Sequence, residues 1–211
     1  AEQKSALIEI GWEVCNRVGG IYTVLRTKAP QMVAQHGDMY ALLGPLNRST
    51  AQVEFEETEV PEHLQAGIQA LADEGIHCIA GRWLVQGRPL AVLIDLSALR
   101  QRIPKLRQAY HNIHGLHADA DDQLIGDALA FGEGTRIFLN GVESAHRKQP
   151  FIIHFHEWQS ATALPQIAAE SPQAKSIFTT HATLLGRYMA GDMARAHEKF
   201  DTVDATAQAT T

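Results

Sequence analysis

Short apolar runs alternate along this chain with longer segments of helical spacing. Residues 6–10, 39–43, 151–155 and 176–180 are apolar runs of strand length. The segment 121–147 repeats apolar residues at helical intervals, although its internal glycines disfavour one unbroken helix. Strands that alternate with helices of ten or more residues are typical of parallel sheets covered by helices on both faces. The pattern therefore predicts an α/β fold with a doubly wound, mainly parallel sheet.

Further segments complete this prediction. Gly44-Pro45 is expected to close the second strand, because both residues interrupt regular structure. Residues 52–60 alternate apolar and acidic side chains and predict a half-exposed strand, whereas 61–74 and 159–169 predict helices. A hairpin within residues 83–95, with a two-residue turn at Gly87-Arg88, predicts an antiparallel addition at an edge or in an insertion.

Composition and charge narrow the function. The chain has 211 residues, a length that suits one large domain, and its formal net charge of −6 argues against a nucleic-acid binder. No apolar run reaches the about 18 residues that span a bilayer, so no membrane partner is expected. Cys15 and Cys78 are far apart and form no C-x-x-C pattern, which favours a reducing, cytoplasmic location.

Arg17-Val-Gly-Gly20 lies between the first predicted strand and a helical segment. A glycine pair lets backbone amides approach an anion, and the start of a helix carries a partial positive charge. Arg17 adds a fork of donors that suits phosphate. The alternative is a tight turn in which the glycines are needed only for positive φ.

His154-Phe-His-Glu-Trp158 lies at the end of another predicted strand. Residues two apart in a strand point to one face, so His154 and His156 are placed to share a ligand or a metal. A metal-dependent hydrolase built on these two histidines is one alternative function. Glu157 follows the strand and suits sugar hydroxyls or a proton partner, or else it is the first-turn acid of the next helix.

The third polar segment runs from His181 to Arg187, directly after the last predicted strand. A neutral donor and a cation on one loop suit a sugar joined to a phosphate, although His181 also fits a hydrogen-bonded core residue. His111, His114 and His117 are three residues apart, but Gly115 and the acids at 119, 121 and 122 favour a solvated loop over a metal site.

These three motifs, read together, resemble one family. The segments Val18–Leu25, His154–Trp158 and Phe178–Arg187 look like the N-terminal half of the glycogen synthases of the animal and fungal, UDP-glucose-dependent type. Gly81-Arg-Trp-Leu84 and the following hairpin resemble the same family in the same order. The likeness extends over about residues 6–190.

The resemblance implies a retaining glycosyltransferase of the GT-B type, with this chain as its Rossmann-like, acceptor-side N-terminal domain (1–211) and the nucleotide-sugar domain absent. It places Arg17, Gly19 and Gly20 at the phosphates of UDP-glucose and Arg187 near the diphosphate. His181 and Glu157 are the implied catalytic residues, with His154 and His156 as substrate-binding residues.

The implied reaction moves glucose to the 4-hydroxyl of an α-1,4-glucan with retention, without a metal or cofactor. The full-length protein is expected to be a homo-oligomer, and this chain alone to be inactive. A non-catalytic glucan-binding or assembly module remains an alternative.

Overall fold

The computed structural model describes residues 5–115, 122–145, 151–170 and 174–182. A seven-stranded sheet forms the centre of the unit that spans residues 1–179. Its strands are β1 (Leu7–Gly11), β2 (Tyr40–Pro45), β3 (Phe55–Glu57), β4 (Cys78–Trp83), β5 (Leu90–Ile94), β6 (Phe151–His156) and β7 (Ala174–Thr179). Their order in the sheet is β3-β4-β5-β2-β1-β6-β7.

The sheet is mainly parallel, which confirms the predicted fold class. Strands β5, β2, β1, β6 and β7 run parallel to one another, and only β3 and β4 add antiparallel pairs at one edge. The helices are α1 (Gly20–His36), α2 (Arg48–Glu54), α3 (Glu62–Asp73), α4 (Ser97–Arg100), α5 (Ile103–His114), α6 (Gln123–Ala145), α7 (Trp158–Ala161) and α8 (Leu164–Glu170).

Apolar side chains fill both faces of the sheet. One cluster contains Leu25 of α1 and Ala51 of α2 with one face of β1, β2 and β5. The other contains Leu64 of α3 and Phe138 of α6 with the opposite face. Alternate strand residues therefore enter different cores, as the pleat of a strand requires.

Helix α6 is continuous despite its glycines. A Cβ atom at Gly141 would lie 2.5 Å from the carbonyl oxygen of Ala66, and one at Gly134 would lie 2.9 Å from Leu99. These glycines let α3 and α4 approach α6 closely. Their packing role outweighs the intrinsic helix cost of about 1 kcal/mol per glycine.

The prediction for the segment 52–60 was wrong, and that for the end of β2 needs one change. Strand β2 ends at Gly44-Pro45, as predicted, but both residues still belong to it and pair with the parallel strand β5. Most of 52–60 is not a strand: Asn47 caps α2 by accepting a hydrogen bond from the Ser49 amide, and β3 begins only at Phe55. A local cap therefore overrides the alternating pattern.

Three other predictions need adjustment. The hairpin is present, but β4 ends at Trp83 and the connection runs from Leu84 to Pro89 rather than over two residues. The segment 159–169 forms two short helices, α7 and α8. His111 and His114 lie in the last turn of α5, not in a loop, and Gly115 caps that helix. His117 and the acids at 119 and 121 lie outside the described residues.

Within the part of the chain that the structure describes, none of the helices combines the length and apolar character that crossing a bilayer requires.

Candidate functional site

The loops after β1 and β6 begin at the same edge of the sheet. The two strands are parallel neighbours, and Gly11 at the end of β1 is paired with His156 at the end of β6. Arg17 follows the first strand and Glu157 the second. In open α/β sheets, ligands bind beyond the carboxyl ends of the strands. The structure therefore brings two of the three predicted segments to one edge.

The loop after β1 is organised by Glu13, a residue that the sequence analysis did not single out. Its carboxylate is 8% exposed, and its Oε2 accepts hydrogen bonds of 2.8 Å from the amides of Gly19 and Tyr22. These amides begin α1, so the carboxylate also lies at the positive end of the helix dipole. The start of α1 is thus stabilised by an anion from its own chain.

The glycine pair is not needed for positive φ, so the tight-turn alternative was wrong. Gly19 is extended, with φ −150°, and the residue in the left-handed region is Cys15, with φ 52°. At Gly19 a Cβ atom would lie 2.9 Å from Oε1 of Glu13, whereas at Gly20 nothing lies within 4 Å. A diphosphate can reach the Gly19 amide only if Glu13 moves, whereas Gly20 borders open space.

Arg17 is exposed, and its guanidinium carbon lies 6.0 Å from the centre of the Tyr22 ring. A cation over an aromatic face is stabilised by about 0.5–1 kcal/mol at such sites. The Tyr22 hydroxyl donates to Glu54, which also accepts a 3.2 Å hydrogen bond from Nε1 of Trp83. Tyr22 thereby connects the predicted phosphate-binding arginine to a fixed part of the fold.

Glu157 has an unusual backbone conformation. Its φ is 65° and its ψ 167°, although it is not glycine, and it is 7% exposed. Its amide donates a 2.9 Å hydrogen bond to the carbonyl of Thr179, and its side chain does not cap α7. Such conformations cost about 1–3 kcal/mol and cluster at functional sites. The geometry thus disfavours Glu157 as an ordinary helix-start acid.

His154 and His156 share one face of β6, as predicted, and contact a third residue that the sequence analysis missed. Their ring centres are 4.1 Å apart. Oε1 of Glu9 lies 3.7 Å from Nδ1 of His154, and Oε2 lies 3.5 Å from Nε2 of His156. Glu9 is fully buried in the middle of β1. The signal that could have identified Glu9 is an acidic residue inside an otherwise apolar strand.

Lys28 of α1 and Tyr40 of β2 complete what we call the Glu9 cluster: Glu9, Lys28, Tyr40, His154 and His156. The Lys28 ammonium lies 2.5 Å from Oε1 of Glu9, and the Tyr40 hydroxyl donates to Oε2 at 3.2 Å. Burial pushes the pKa of Glu9 upward, but contacts with His154, His156 and Lys28 outweigh it and hold that pKa well below its usual value. The buried carboxylate is therefore ionised.

The Glu9 cluster also bears on the metal alternative. Ligand atoms of Glu9, His154 and His156 lie within 4.8 Å of one another, a spacing that a metal ion fits. The Lys28 ammonium already supplies the positive charge beside the carboxylate, at a distance of 2.5 Å. Burial lowers the pKa of His156, and the nearby Glu9 only partly offsets this shift. The buried carboxylate thus has a counter-charge supplied by the chain itself.

The third predicted segment is described only at its beginning. His181 is exposed, so it is not a core histidine. Arg187 lies outside the described residues. The expectation that His181 and Arg187 act on one substrate therefore stays a prediction.

A cavity of about 380 Å³ at the ends of β1, β2 and β5 is a further feature that the sequence analysis missed. Trp12 and Asn16 border it from the loop after β1, Asn47 from the segment after β2, and Ser97 from the segment after β5. The cavity lies at the same edge of the sheet as Arg17 and Glu157. Its residues were scattered over the sequence and formed no motif.

Comparison with known proteins assigns the chain to a family. Residues 9–211 match the family model described as glycogen synthase. The chain belongs to the glycogen synthase family. Among curated relatives, it is 38% identical over 205 residues to a glycogen [starch] synthase of Neurospora crassa and 39% identical over 202 residues to isoform 1 of Saccharomyces cerevisiae. It is 34% identical over 199 residues to the liver glycogen [starch] synthase of Mus musculus.

These alignments include 96%, 90% and 92% of the chain but only 29%, 28% and 28% of the respective relatives. The chain therefore spans less than a third of the length of the glycogen synthases that it matches. Membership in the family confirms the resemblance drawn from the three motifs. It does not favour the metal-dependent hydrolase or the non-catalytic module.

Proposed function

We propose that this chain is the N-terminal, acceptor-side domain of a retaining glucosyltransferase of the GT-B type. The reaction transfers glucose from UDP-glucose to the 4-hydroxyl end of an α-1,4-glucan. The observation that carries the proposal is the position of Glu157: a buried carboxylate in a strained conformation, at the strand edge where α/β folds bind ligands. Family membership supplies the reaction class.

In this proposal the donor lies along the loop after β1. Arg17 and the amides at Gly19 and Gly20 face its phosphates, and Arg187 reaches the diphosphate. Negative charge grows on the diphosphate as the glycosidic bond breaks, so fixed donors at that position lower the barrier. One such donor is worth about 3–4 kcal/mol. Because Glu13 occupies the Gly19 amide, donor binding at that amide requires the carboxylate to turn away.

The sugar ring then lies beside Glu157 and His181, which act as hydrogen-bond and proton partners for hydroxyl groups of the glucose and the acceptor. His156 is 2% exposed and contacts Glu9. We therefore assign His154 and His156 to positioning Glu157 through β6, alongside their predicted substrate contact. No metal or organic cofactor takes part in this proposal.

The remaining parts of the proposal concern the whole protein. The nucleotide-sugar domain lies beyond the matched third, so residues 1–211 bind one side of the cleft and do not transfer glucose alone. Closure of two domains would exclude water, which otherwise hydrolyses the donor. We further propose a cytoplasmic homo-oligomer whose partners are UDP-glucose and glycogen rather than nucleic acid or membrane.

The decisive experiment uses the full-length protein, with UDP-glucose labelled in the glucose and glycogen as acceptor. Wild-type protein should incorporate label into glycogen. Glu157→Gln should lower kcat by about 100-fold or more, the range expected for a lost proton-transfer partner. Glu62→Gln, an exposed acid at the start of α3, is the matched control and should retain full activity.

Two results would contradict the proposal. One is a wild-type full-length protein that incorporates no label from UDP-glucose or another nucleotide-glucose. The other is a Glu157→Gln variant whose kcat stays within about threefold of wild type, because a proton partner contributes more than that.

A further inference from the structure

We infer that Thr179, the last residue of β7, is a positioning residue for the carboxylate of Glu157. The inference rests on the proposed function, which gives Glu157 its part in the reaction. Thr179 makes two contacts with the neighbouring segment. Its backbone carbonyl accepts a 2.9 Å hydrogen bond from the Glu157 amide, and its Oγ1 lies 2.8 Å from Nε2 of His154. One residue of β7 is therefore bonded both to β6 and to the residue that follows it.

The backbone of Glu157 is held on both of its sides. On one side its amide donates to Thr179, which extends the β6–β7 ladder by one bond past the pair of His156 and Thr179. On the other side its carbonyl accepts a 3.2 Å hydrogen bond from the amide of the fully buried Ser160 in α7. A positive φ in a residue other than glycine persists only where the surrounding structure fixes it. The Thr179 carbonyl is thus part of what keeps Glu157 in its costly conformation.

The carbonyl of Thr179 needs an anchor of its own. Among the described residues β7 is the last strand of the sheet, with β6 as its one neighbour, and residues 176–178 are exposed. Segments with few buried contacts open most easily. The contact between Oγ1 of Thr179 and Nε2 of His154 ties this end of β7 to a side chain that is only 16% exposed. The hydroxyl therefore holds in place the carbonyl that holds Glu157.

His154 is itself fixed by the Glu9 cluster. Its Nδ1 faces Oε1 of Glu9 at 3.7 Å, and its ring packs against that of His156, with the ring centres 4.1 Å apart. An anionic carboxylate favours the tautomer with the proton on Nδ1, which leaves Nε2 as an acceptor for the Thr179 hydroxyl. A chain of contacts therefore runs from the buried Glu9 through His154 and Thr179 to Glu157.

This chain of contacts matters because a proton partner acts only over a narrow range of positions. A displacement of about 1 Å at a reacting group can lower a rate about 100-fold. Thr179 reaches Glu157 through the backbone, so the loss of its hydroxyl should lower kcat and leave the KM for the donor almost unchanged. That split distinguishes a positioning residue from one that binds the substrate uniformly.

The test removes the hydroxyl and keeps the shape of the side chain, in the full-length protein with UDP-glucose and glycogen. Thr179→Val should lower kcat by about tenfold and leave the KM for UDP-glucose within about twofold. Thr179→Ser, which restores the hydroxyl, should have a kcat within about threefold of wild type. Ser176→Val removes an exposed hydroxyl from the same strand and is the matched control, with kcat unchanged.

Two further measurements ask whether Thr179 acts through Glu157. In a Glu157→Gln background, Thr179→Val should lower kcat by less than about twofold, because the carboxylate that it positions is already gone. Hydrogen exchange of the peptide that contains Glu157 should be at least about fivefold faster in Thr179→Val than in wild type, and close to wild type in Thr179→Ser. Exchange is measured on the folded protein and needs no activity.

Three results would overturn the inference. The first is a Thr179→Val protein with the kcat of wild type or with unchanged exchange at Glu157. The second is a tenfold loss of kcat that persists in the Glu157→Gln background, because Thr179 would then act elsewhere. The third is a Thr179→Ser protein as slow as Thr179→Val, because the hydroxyl would then not be the group that matters.

The exchange measurement separates the inference from the proposed function. If wild-type full-length protein transfers no glucose, the proposed function fails, and exchange at Glu157 still decides whether Thr179 holds that residue. If wild-type protein is active and Glu157→Gln is not, but Thr179→Val keeps the wild-type kcat, the reaction stands and the role of Thr179 fails.

Discussion

The loops after β1 and β6 start at the same edge of neighbouring strands, yet they hold their carboxylates in opposite ways. In the first loop, Glu13 accepts hydrogen bonds from two backbone amides and so stabilises the start of α1. In the second, Glu157 itself has positive φ, and its side chain does not cap the helix that follows. One carboxylate stabilises its loop, and the other lies in a conformation that costs free energy.

This contrast separates a carboxylate that stabilises its own loop from the one that we propose acts on the substrate. A residue that satisfies its own backbone lowers the free energy of the fold, whereas a strained residue persists only if the surrounding structure holds it. The Glu9 cluster joins the elements next to the two loops, because Glu9 contacts Lys28 on α1 and His154 and His156 on β6. The elements next to both loops are therefore connected by the same buried cluster.

The largest expected effect comes from removing the carboxylate at the centre of the Glu9 cluster. Glu9→Ala should lower the free energy of unfolding by about 3–5 kcal/mol, because it breaks a buried ion pair and leaves its partners uncompensated. Urea denaturation of the chain measures the change. Glu56→Ala is the matched control: it removes an exposed ion pair with Arg88 and should cost at most about 1 kcal/mol. Equal losses in the two variants would show that the Glu9 cluster does not support the loops.

The second effect concerns pH. Burial lowers the pKa of His156 in the fold, so unfolded chains bind more protons than folded ones as the pH falls below the usual histidine value. The contribution of His156 to the free energy of unfolding is complete above about pH 6.5. Below that pH it decreases by at most about 1.4 kcal/mol per pH unit. Glu9 and Lys28, which face His156, form an ion pair with each other. Because the pKa of Glu9 is lowered in the fold, its contribution to the free energy of unfolding decreases only below about pH 4.5.

Urea denaturation between pH 5 and pH 8 should therefore show a slope that His156→Gln reduces. The exposed His77 provides the control substitution, His77→Gln, which should preserve the slope of the wild-type chain. A His156→Gln chain with the wild-type slope would exclude this histidine as the group responsible.

The parts of this arrangement that the sequence predicted are those set by local pattern. Apolar runs located β1, β6 and β7, and the position after a strand end marked Arg17, Glu157 and His181. Parallel pairing then brought the first two to one edge. These inferences need only the period of a strand and the rule that ligands bind at carboxyl ends.

The parts that the sequence did not predict depend on register and on local capping. Glu9 meets His154 because these two residues are partners in the β1–β6 register, which no local pattern encodes. The Glu13 bond to Gly19 and the positive φ of Cys15 depend on how the loop folds back on α1. The residues that border the cavity come from segments far apart in the chain.

The third prediction tests the strained loop directly. Glu157→Gly removes the Cβ that makes positive φ costly and should raise the free energy of unfolding by about 1 kcal/mol, since about 1–3 kcal/mol of strain is offset in part by the flexibility of glycine. Glu157→Ala removes the carboxylate but retains the Cβ, so it should not stabilise the chain. In the full-length protein both variants should lose transferase activity.

Arg88→Gly is the control for strain alone. Arg88 also has positive φ, at 42°, but lies in the hairpin connection away from the strand edge. In the full-length protein this substitution should leave transferase activity unchanged. If Glu157→Gly destabilised the chain as much as Glu157→Ala, the backbone at this position would not be strained, and the contrast between the loops would fail.

The smallest effect compares the two neighbouring glycines of the first loop. Gly19→Ala places a Cβ 2.9 Å from Oε1 of Glu13, so the carboxylate must shift away from the amides that it holds, at a cost of about 1 kcal/mol. Gly20→Ala meets open space at the first position of α1 and should stabilise the chain by about 0.5–1 kcal/mol, because alanine restricts the unfolded chain and favours a helix. Urea denaturation of both variants measures the change in the free energy of unfolding, which should be a decrease for Gly19→Ala and an increase for Gly20→Ala.

Glu13→Gln provides the control for this pair. Its neutral amide binds the helix start less strongly, so the loss of stability caused by Gly19→Ala should shrink while the gain from Gly20→Ala stays. A Gly19→Ala penalty that is the same in the presence and absence of the Glu13 charge would show that sterics alone, and not the self-supplied anion, keep this position a glycine.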